Sequence, residues 1–195
     1  MDFDSDTKYA VTTEDGGETW SYLDLTIPDN IMFANNHSIE KIFAYDNVIF
    51  ILGDDKKIYK STDLFKIWET YYVPIEIKKA SFINSEIAYV SDNITIYKTS
   101  NGGKNWKMLS TPEDPVVFNH FFDETNGFSI HYNTEYPPMG DFPQAVSTKI
   151  YFTKDGGSTW QSEEHPEVIS GYKSFPTNNI VYYVSEENTY VLKLK

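Results

Sequence analysis

Two aspartates occupy nearly identical surroundings in distant parts of the chain, Asp15 in TEDGGETW and Asp155 in TKDGGSTW. A carboxylate in a Gly-rich loop can act as a general acid or base. It can also accept hydrogen bonds from the backbone N–H groups that follow it, as in an Asx-turn. We prefer the turn interpretation, because such a carboxylate has its oxygens occupied by its own loop.

Two degenerate copies accompany them, TSNGGKNW with Asn101 and STDLFKIW with Asp63. Asn101 can accept the same hydrogen bond. In the second copy Leu64 and Phe65 replace both glycines, and such residues do not readily adopt positive φ. We therefore predict a different turn there, with Trp68 still packed. The positions assigned a structural role in these four octapeptides are Thr13, Asp15, Gly17, Thr19, Trp20, Ser61, Asp63, Trp68, Thr99, Asn101, Gly103, Trp106, Thr153, Asp155, Gly157, Thr159 and Trp160.

The elements that position these loops are short β-strands. The four tryptophans close the four octapeptides and are separated by 48, 38 and 54 residues. Between them lie short runs rich in aromatic and β-branched residues, bounded by Asn, Asp, Gly or Ser, which predict four strands per repeat. We label them a to d, with the octapeptide between c and d. Almost no helix is expected, because no segment shows a sustained helical period.

The octapeptides resemble the Asp-box, or BNR, repeat of sialidase-like β-propellers. The resemblance implies an all-β propeller of four-stranded antiparallel blades forming a single domain, residues 1–195. It is closer to the sortilin and photosystem II assembly factor type than to true sialidases, and it favours a secreted or periplasmic location. The predicted blades are 38–73, 78–110 and 116–163, with partial blades 1–26 and 171–195.

The partial blades leave the closure of the propeller open. The first partial blade contains strands c and d, and the last contains strands a, b and c. Together they would have one strand more than a four-stranded blade. The chain closes as an unusual four-bladed ring, belongs to a longer propeller, or forms a homo-oligomer through its open sheet edges. The second alternative is preferred.

Composition excludes several function classes. The net charge of −13 disfavours nucleic acid as a partner. Cysteine is absent, and all sixteen basic residues are lysine. Without arginine the chain lacks the guanidinium group with which sialidases bind a carboxylate.

We predict no cofactor and no metal: the spacing of the histidines, including His120 and His131, does not suggest a metal site. No apolar run is long enough to span a membrane, and the acidic N-terminus lacks the apolar core of a signal peptide.

The resemblance places the ligand site on the face opposite the octapeptides, where the b–c and d–a loops lie. Acidic residues crowd these loops. The long b–c loop Asn133–Ser147 is the main candidate, since loops above about 12 residues are uncommon without a function; alternatively it is an insertion that covers the core. The predicted binding residues are Glu135, Tyr136, Met139, Asp141, Phe142, Asp54 and Asp92.

We expect a non-catalytic module that binds a protein or a glycan on this face. The alternative is a glycoside hydrolase that uses paired carboxylates from the acidic loops. A purely structural role is the third alternative.

Overall fold

The computed structural model describes residues 9–24, 41–45, 47–53, 56–109, 118–135, 142, 144–165, 172–177, 180–184 and 189–193. All regular structure in these ranges is β-strand, joined in antiparallel order, which confirms the all-β prediction. No helix among the described residues is long and apolar enough to cross a membrane. The chain divides into two compact units, Met1–Pro74 and Ile75–Lys195.

The first unit contains a hairpin and a four-stranded sheet. The hairpin consists of β1 (Tyr9–Thr12) and β2 (Ser21–Asp24). The sheet is a meander, each strand pairing with the next along the chain. Its strands are β3 (Lys41–Tyr45), β4 (Val48–Leu52), β5 (Lys57–Ser61) and β6 (Glu69–Tyr72). The central strands β4 and β5 are buried along nearly their whole length. β4 is a continuous apolar run, whereas β5 buries Lys60 and Ser61 as well as Ile58 and Tyr59.

The second unit contains two four-stranded meanders and one of three strands. The first meander comprises β7 (Lys79–Phe82), β8 (Ala88–Ser91), β9 (Ile96–Thr99) and β10 (Lys107–Met108). The second comprises β11 (Phe118–Phe121), β12 (Gly127–Glu135), β13 (Gln144–Thr153) and β14 (Gln161–His165). The third comprises β15 (Tyr172–Thr177), β16 (Ile180–Val184) and β17 (Thr189–Lys193).

The two four-stranded sheets of the second unit pack against each other through aromatic and polar side chains. The Tyr89 ring stacks on Phe121, with ring centroids 3.5 Å apart. The Tyr89 hydroxyl donates to the carbonyl of Glu124 at 2.8 Å, and Lys98 Nζ donates to the same oxygen at 3.2 Å. The backbone N–H of Phe121 donates to Ser81 Oγ at 3.2 Å. These bonds fix the position of one sheet along the strands of the other.

The degenerate octapeptide Ser61–Trp68 adopts the same turn as the others, so the prediction of a different turn is wrong. Leu64 and Phe65 have φ angles of 56° and 71°, in the left-handed region used by the glycines of the other copies. The turn is stabilised because Phe65 N–H donates to Ser61 Oγ at 3.0 Å and Ile67 N–H to Asp63 Oδ1 at 2.8 Å. The ring of Phe65 also packs against the ring of Trp68, with ring centroids 5.8 Å apart. These contacts offset the backbone strain.

Candidate functional site

The carboxylate of Asp155 is held by its own turn. Thr153 Oγ1 donates to Oδ1 at 2.8 Å, and the backbone N–H of Thr159 donates to the same oxygen at 2.9 Å. The hydroxyl of Thr159 donates to Oδ2 at 2.6 Å. These bonds, the Thr159 hydroxyl first, lower the pKa of Asp155 to about 2. A carboxylate with so low a pKa is a poor proton acceptor near neutral pH.

The other octapeptides repeat this arrangement with local changes. Asp15 has the same three donors, and its pKa lies well below the ordinary value, chiefly because of the Thr19 hydroxyl. Asn101 Oδ1 accepts from Thr99 Oγ1 at 3.0 Å and from the N–H of Asn105 at 2.9 Å. The pKa of Asp63 is also lowered, mainly by the N–H of Ile67.

The predicted loop Asn133–Ser147 is in large part a strand extension, which corrects the loop boundaries. Asn133 pairs with Ser147, Thr134 with Ala145 and Glu135 with Gln144, with a register irregularity between Asn133 and Thr134. Among the described residues, β11 pairs with β12 as far as Ile130, and β14 pairs with β13 as far as Thr148. Within these ranges, residues 133–135 and 144–147 therefore form a two-stranded extension of the β12–β13 hairpin. We call it the β12–β13 arm.

The arm presents apolar groups to solvent. Phe142, beyond the paired residues, is 80% exposed, and Val146 is 42% exposed. Glu135 is also exposed, at the end of β12. Asn133 Nδ2 donates to Ser147 Oγ at 2.7 Å, which ties the two strands at the base of the arm. The other predicted binding residues of this segment, Tyr136, Met139 and Asp141, lie outside the described residues, as does Asp54.

Asp92 lies in the b–c turn of the neighbouring sheet. Phe121 N–H donates to Ser81 Oγ, and Asn119 Nδ2, two residues earlier on β11, donates to Ser91 Oγ beside this turn. Since Ser81 pairs with Tyr89, β7 and β11 run in the same direction, and the turn and the arm lie at the same end of the second unit. Asp92 Oδ1 accepts the N–H groups of Ile94 and Thr95 at 2.7 and 2.6 Å. Partial burial raises the pKa of Asp92, but these bonds outweigh it and the net shift is downward. One carboxylate oxygen is thus used by the turn.

His120 and His131, the two histidines considered as metal ligands, lie on the neighbouring strands β11 and β12 but have different surroundings. His131 is fully buried, with Nε2 2.8 Å from Ser129 Oγ and its ring edge-on to Tyr151. His120 is partly buried beside Phe122 and Phe128. Burial lowers the pKa of His120 to about 4. Within the described ranges, no group of three or more His, Asp or Glu side chains is placed to hold a metal ion.

The contacts that sequence reasoning missed are those between sheets. Neither Tyr89 nor Lys98 stands in a motif, yet both bind the carbonyl of Glu124. A backbone carbonyl leaves no residue-type signal, and β8 is buried at all four of its residues rather than at alternate ones, so no sequence pattern pointed to this interface.

Comparison with known proteins identifies the fold. No family model matches the chain, and no curated protein resembles it closely enough to be matched. Among solved structures, an ancestral GH74 enzyme has a TM-score of 0.53 at 17% identity, covering 78% of this chain and 22% of that one. The fold is a β-propeller.

Two further similar structures are of YCF48. One, bound to D1 peptide, has a TM-score of 0.48 at 16% identity and covers 90% of this chain and 68% of that chain. The other, from Cyanidioschyzon merolae, has a TM-score of 0.47 at 15% identity and covers 94% and 86% of the two chains. At these identities the likeness concerns the fold alone. Function has to be argued from this chain's own residues.

Proposed function

We propose that this propeller is a non-catalytic binding module that holds a protein ligand at the end of the sheets bearing the β12–β13 arm. The observation that carries the proposal is Phe142, 80% exposed beyond the last paired residues of the arm. Exposed apolar side chains that are grouped on one surface mark a candidate interaction site, and aromatic anchors dominate the energetics of protein interfaces. Val146, also exposed, adds apolar surface on the same arm.

The described residues of the arm carry one carboxylate and no lysine. Glu135 ends β12, and the whole chain carries a net charge of −13. Charge complementarity therefore favours a ligand with basic groups around an apolar centre, and it speeds association at low salt. A neutral glycan that stacks on Phe142 is the second ligand class that this surface accommodates.

We further propose that the four octapeptides act as structural Asp-boxes. Support comes from the hydrogen bonds of Asp155, whose two oxygens accept three donors from its own turn. The absence of arginine from the sequence argues against sialidase chemistry, which needs a bidentate cationic clamp on the sugar carboxylate. These features favour binding over catalysis.

The test is a selection of peptides and glycans on the full chain, followed by titration of the hits against variants. Phe142→Ala and Val146→Ala should each weaken a genuine ligand about tenfold, or about 1.4 kcal/mol. Met108→Ala, which removes an exposed apolar side chain from β10, should leave the affinity unchanged. Ligands that bind all three variants equally would refute the site.

The hydrolase alternative is tested by incubation with neutral and acidic glycosides. If the chain hydrolyses a glycoside and Glu135→Gln abolishes this activity, the function of the arm is catalysis and not binding.

A further inference from the structure

Two asparagines in the chain are followed directly by glycine, Asn101 by Gly102 and Asn126 by Gly127. In a flexible chain this pair deamidates readily, because glycine has no Cβ to hinder the attack of its backbone nitrogen on the asparagine side chain. Asn101 lies in the octapeptide turn between β9 and β10, where its side chain holds the turn together. Its chemical fate therefore affects the turn directly.

Both atoms that would react are restrained in the closed turn. Asn101 Oδ1 accepts from Thr99 Oγ1 at 3.0 Å and from the N–H of Asn105 at 2.9 Å, which fixes the side-chain amide. The attacking atom would be the nitrogen of Gly102, whose N–H donates to the carbonyl of Glu86 at 2.9 Å. Gly102 is also buried. A base in solution cannot remove this proton while the turn is closed, and the nitrogen cannot attack until it is removed.

The turn accommodates one product of deamidation but not the other. Aspartate at position 101 would offer the same Oδ1 acceptor that Asp63 and Asp155 offer to their own turns. Isoaspartate adds a methylene to the backbone and displaces the N–H groups of Gly103 and Asn105 from the oxygens that accept them. Deamidation would therefore either restore the aspartate of the other copies or disrupt the turn.

We propose that Asn101 is a latent deamidation site that reacts only when the turn between β9 and β10 opens. Opening breaks the bond from Gly102 to the Glu86 carbonyl, and solvent base removes the Gly102 amide proton. The nitrogen then attacks Cγ of Asn101, and the side-chain nitrogen takes up a proton and leaves as ammonia. Water hydrolyses the resulting succinimide to aspartate or isoaspartate. This site does not depend on the β12–β13 arm.

The experiment compares deamidation of Asn101 in the full chain with deamidation of a capped synthetic peptide of residues 99–106. Both are incubated in the same mildly alkaline buffer, and peptide mapping by mass spectrometry follows the conversion. We expect the folded chain to react at least about tenfold more slowly than the peptide. In denaturing urea the chain should react at the rate of the peptide, and Asn126 should react with it.

Hydrogen exchange at Gly102 measures the opening of the turn independently, because the exchanging amide is also the attacking group. Deamidation is much slower than the opening and closing of a turn, so its rate depends on the population of the open form. The slowing of deamidation relative to the peptide should therefore equal the exchange protection of Gly102 within about threefold. Deamidation that is slowed far less than exchange would mean that the closed turn reacts, and the proposal would be wrong.

Thr99→Val loosens the turn with little change in side-chain volume. It removes the hydroxyl that donates to Asn101 and accepts the N–H of Gly103. Both deamidation at Asn101 and exchange at Gly102 should become about tenfold faster. Ser100→Ala, at the exposed neighbouring position, is the matched control and should react as the parent does.

Two results would overturn the proposal. One is deamidation of the folded parent at the rate of the peptide, and the other is a Thr99→Val chain in which exchange at Gly102 accelerates while deamidation does not. The first comparison uses the parent chain alone, so it decides the question even where Thr99→Val does not fold.

Discussion

The fourth residue of the octapeptide provides a sharp test of how the turns are stabilised. Gly16 and Gly156 occupy this position in two copies and have nearly the same φ, 74° and 69°. Their surroundings differ, because a Cβ at Gly16 would enter open space and one at Gly156 would lie 2.5 Å from the Glu124 carbonyl oxygen. Replacing each glycine by alanine therefore separates backbone strain from steric conflict.

The strain is similar at both sites. A left-handed conformation costs an alanine roughly 1–2 kcal/mol, and the smaller entropy of its unfolded chain returns about 0.5–1 kcal/mol. Gly16→Ala should therefore cost about 1 kcal/mol. At Gly156 the new methyl also displaces the carbonyl that accepts from Tyr89 and Lys98. Overpacking adds about 1–3 kcal/mol and a disrupted buried hydrogen bond about 1 kcal/mol more, so that Gly156→Ala should cost about 3–5 kcal/mol.

Urea unfolding followed by far-UV circular dichroism and tryptophan fluorescence measures both free energies of unfolding. Amide hydrogen exchange adds a separate reading for each of the two units of the chain. If Gly156→Ala costs no more than Gly16→Ala, the turn does not lie against the Glu124 carbonyl that accepts from Tyr89 and Lys98, and this part of the interface between the two sheets is wrong.

Three further predictions concern single side chains. Leu64→Asn should be more stable than Leu64→Ala by about 0.5–1 kcal/mol in urea unfolding. The reason is that Asn tolerates the left-handed backbone conformation, in which both Leu and Ala are strained. For His120, the folded-state pKa of about 4 lies below the unfolded value of 6.5, so stability is complete above pH 6.5 and falls as the pH drops towards 4. His120→Phe should remove up to about 3 kcal/mol of that loss, measured as unfolding free energy against pH. For Asp155, the stabilisation present above pH 3.8 should be lost as the pH falls towards 2; Asp155→Asn should flatten the urea midpoint over that range, and an unchanged profile would contradict the assignment.

The fold was predictable because its signals are local and repeated. Each octapeptide marks a turn between two strands, and the alternation of strand-like runs with polar breaks gives the order of the other strands. Trp106 and Trp160, for example, close turns that are followed by β10 and β14. This information sufficed for the all-β class and for the meander of each four-stranded sheet.

The two structural expectations that failed depended on contacts that residue types do not reveal. Leu64 and Phe65 were expected to break the turn because of their φ preference, but Ser61 and Asp63 restrain the backbone through hydrogen bonds. The segment Asn133–Ser147 was expected to be a long loop between strands b and c. Its outer residues nevertheless continue the ladder of β12 and β13, since register depends on the partner strand and not on one segment alone.

The four octapeptides together indicate which residues the turn requires. In every copy the hydroxyl at the first position accepts the N–H of the fifth residue, and an oxygen at the third position accepts the N–H of the seventh. Glycine is not required, because Leu64 and Phe65 adopt the same φ range. The second carboxylate oxygen accepts a hydroxyl only in the two copies whose seventh residue is threonine, Thr19 and Thr159. Asparagine therefore replaces aspartate at position 101, where the seventh residue is Asn105, without losing a bond that the turn there makes.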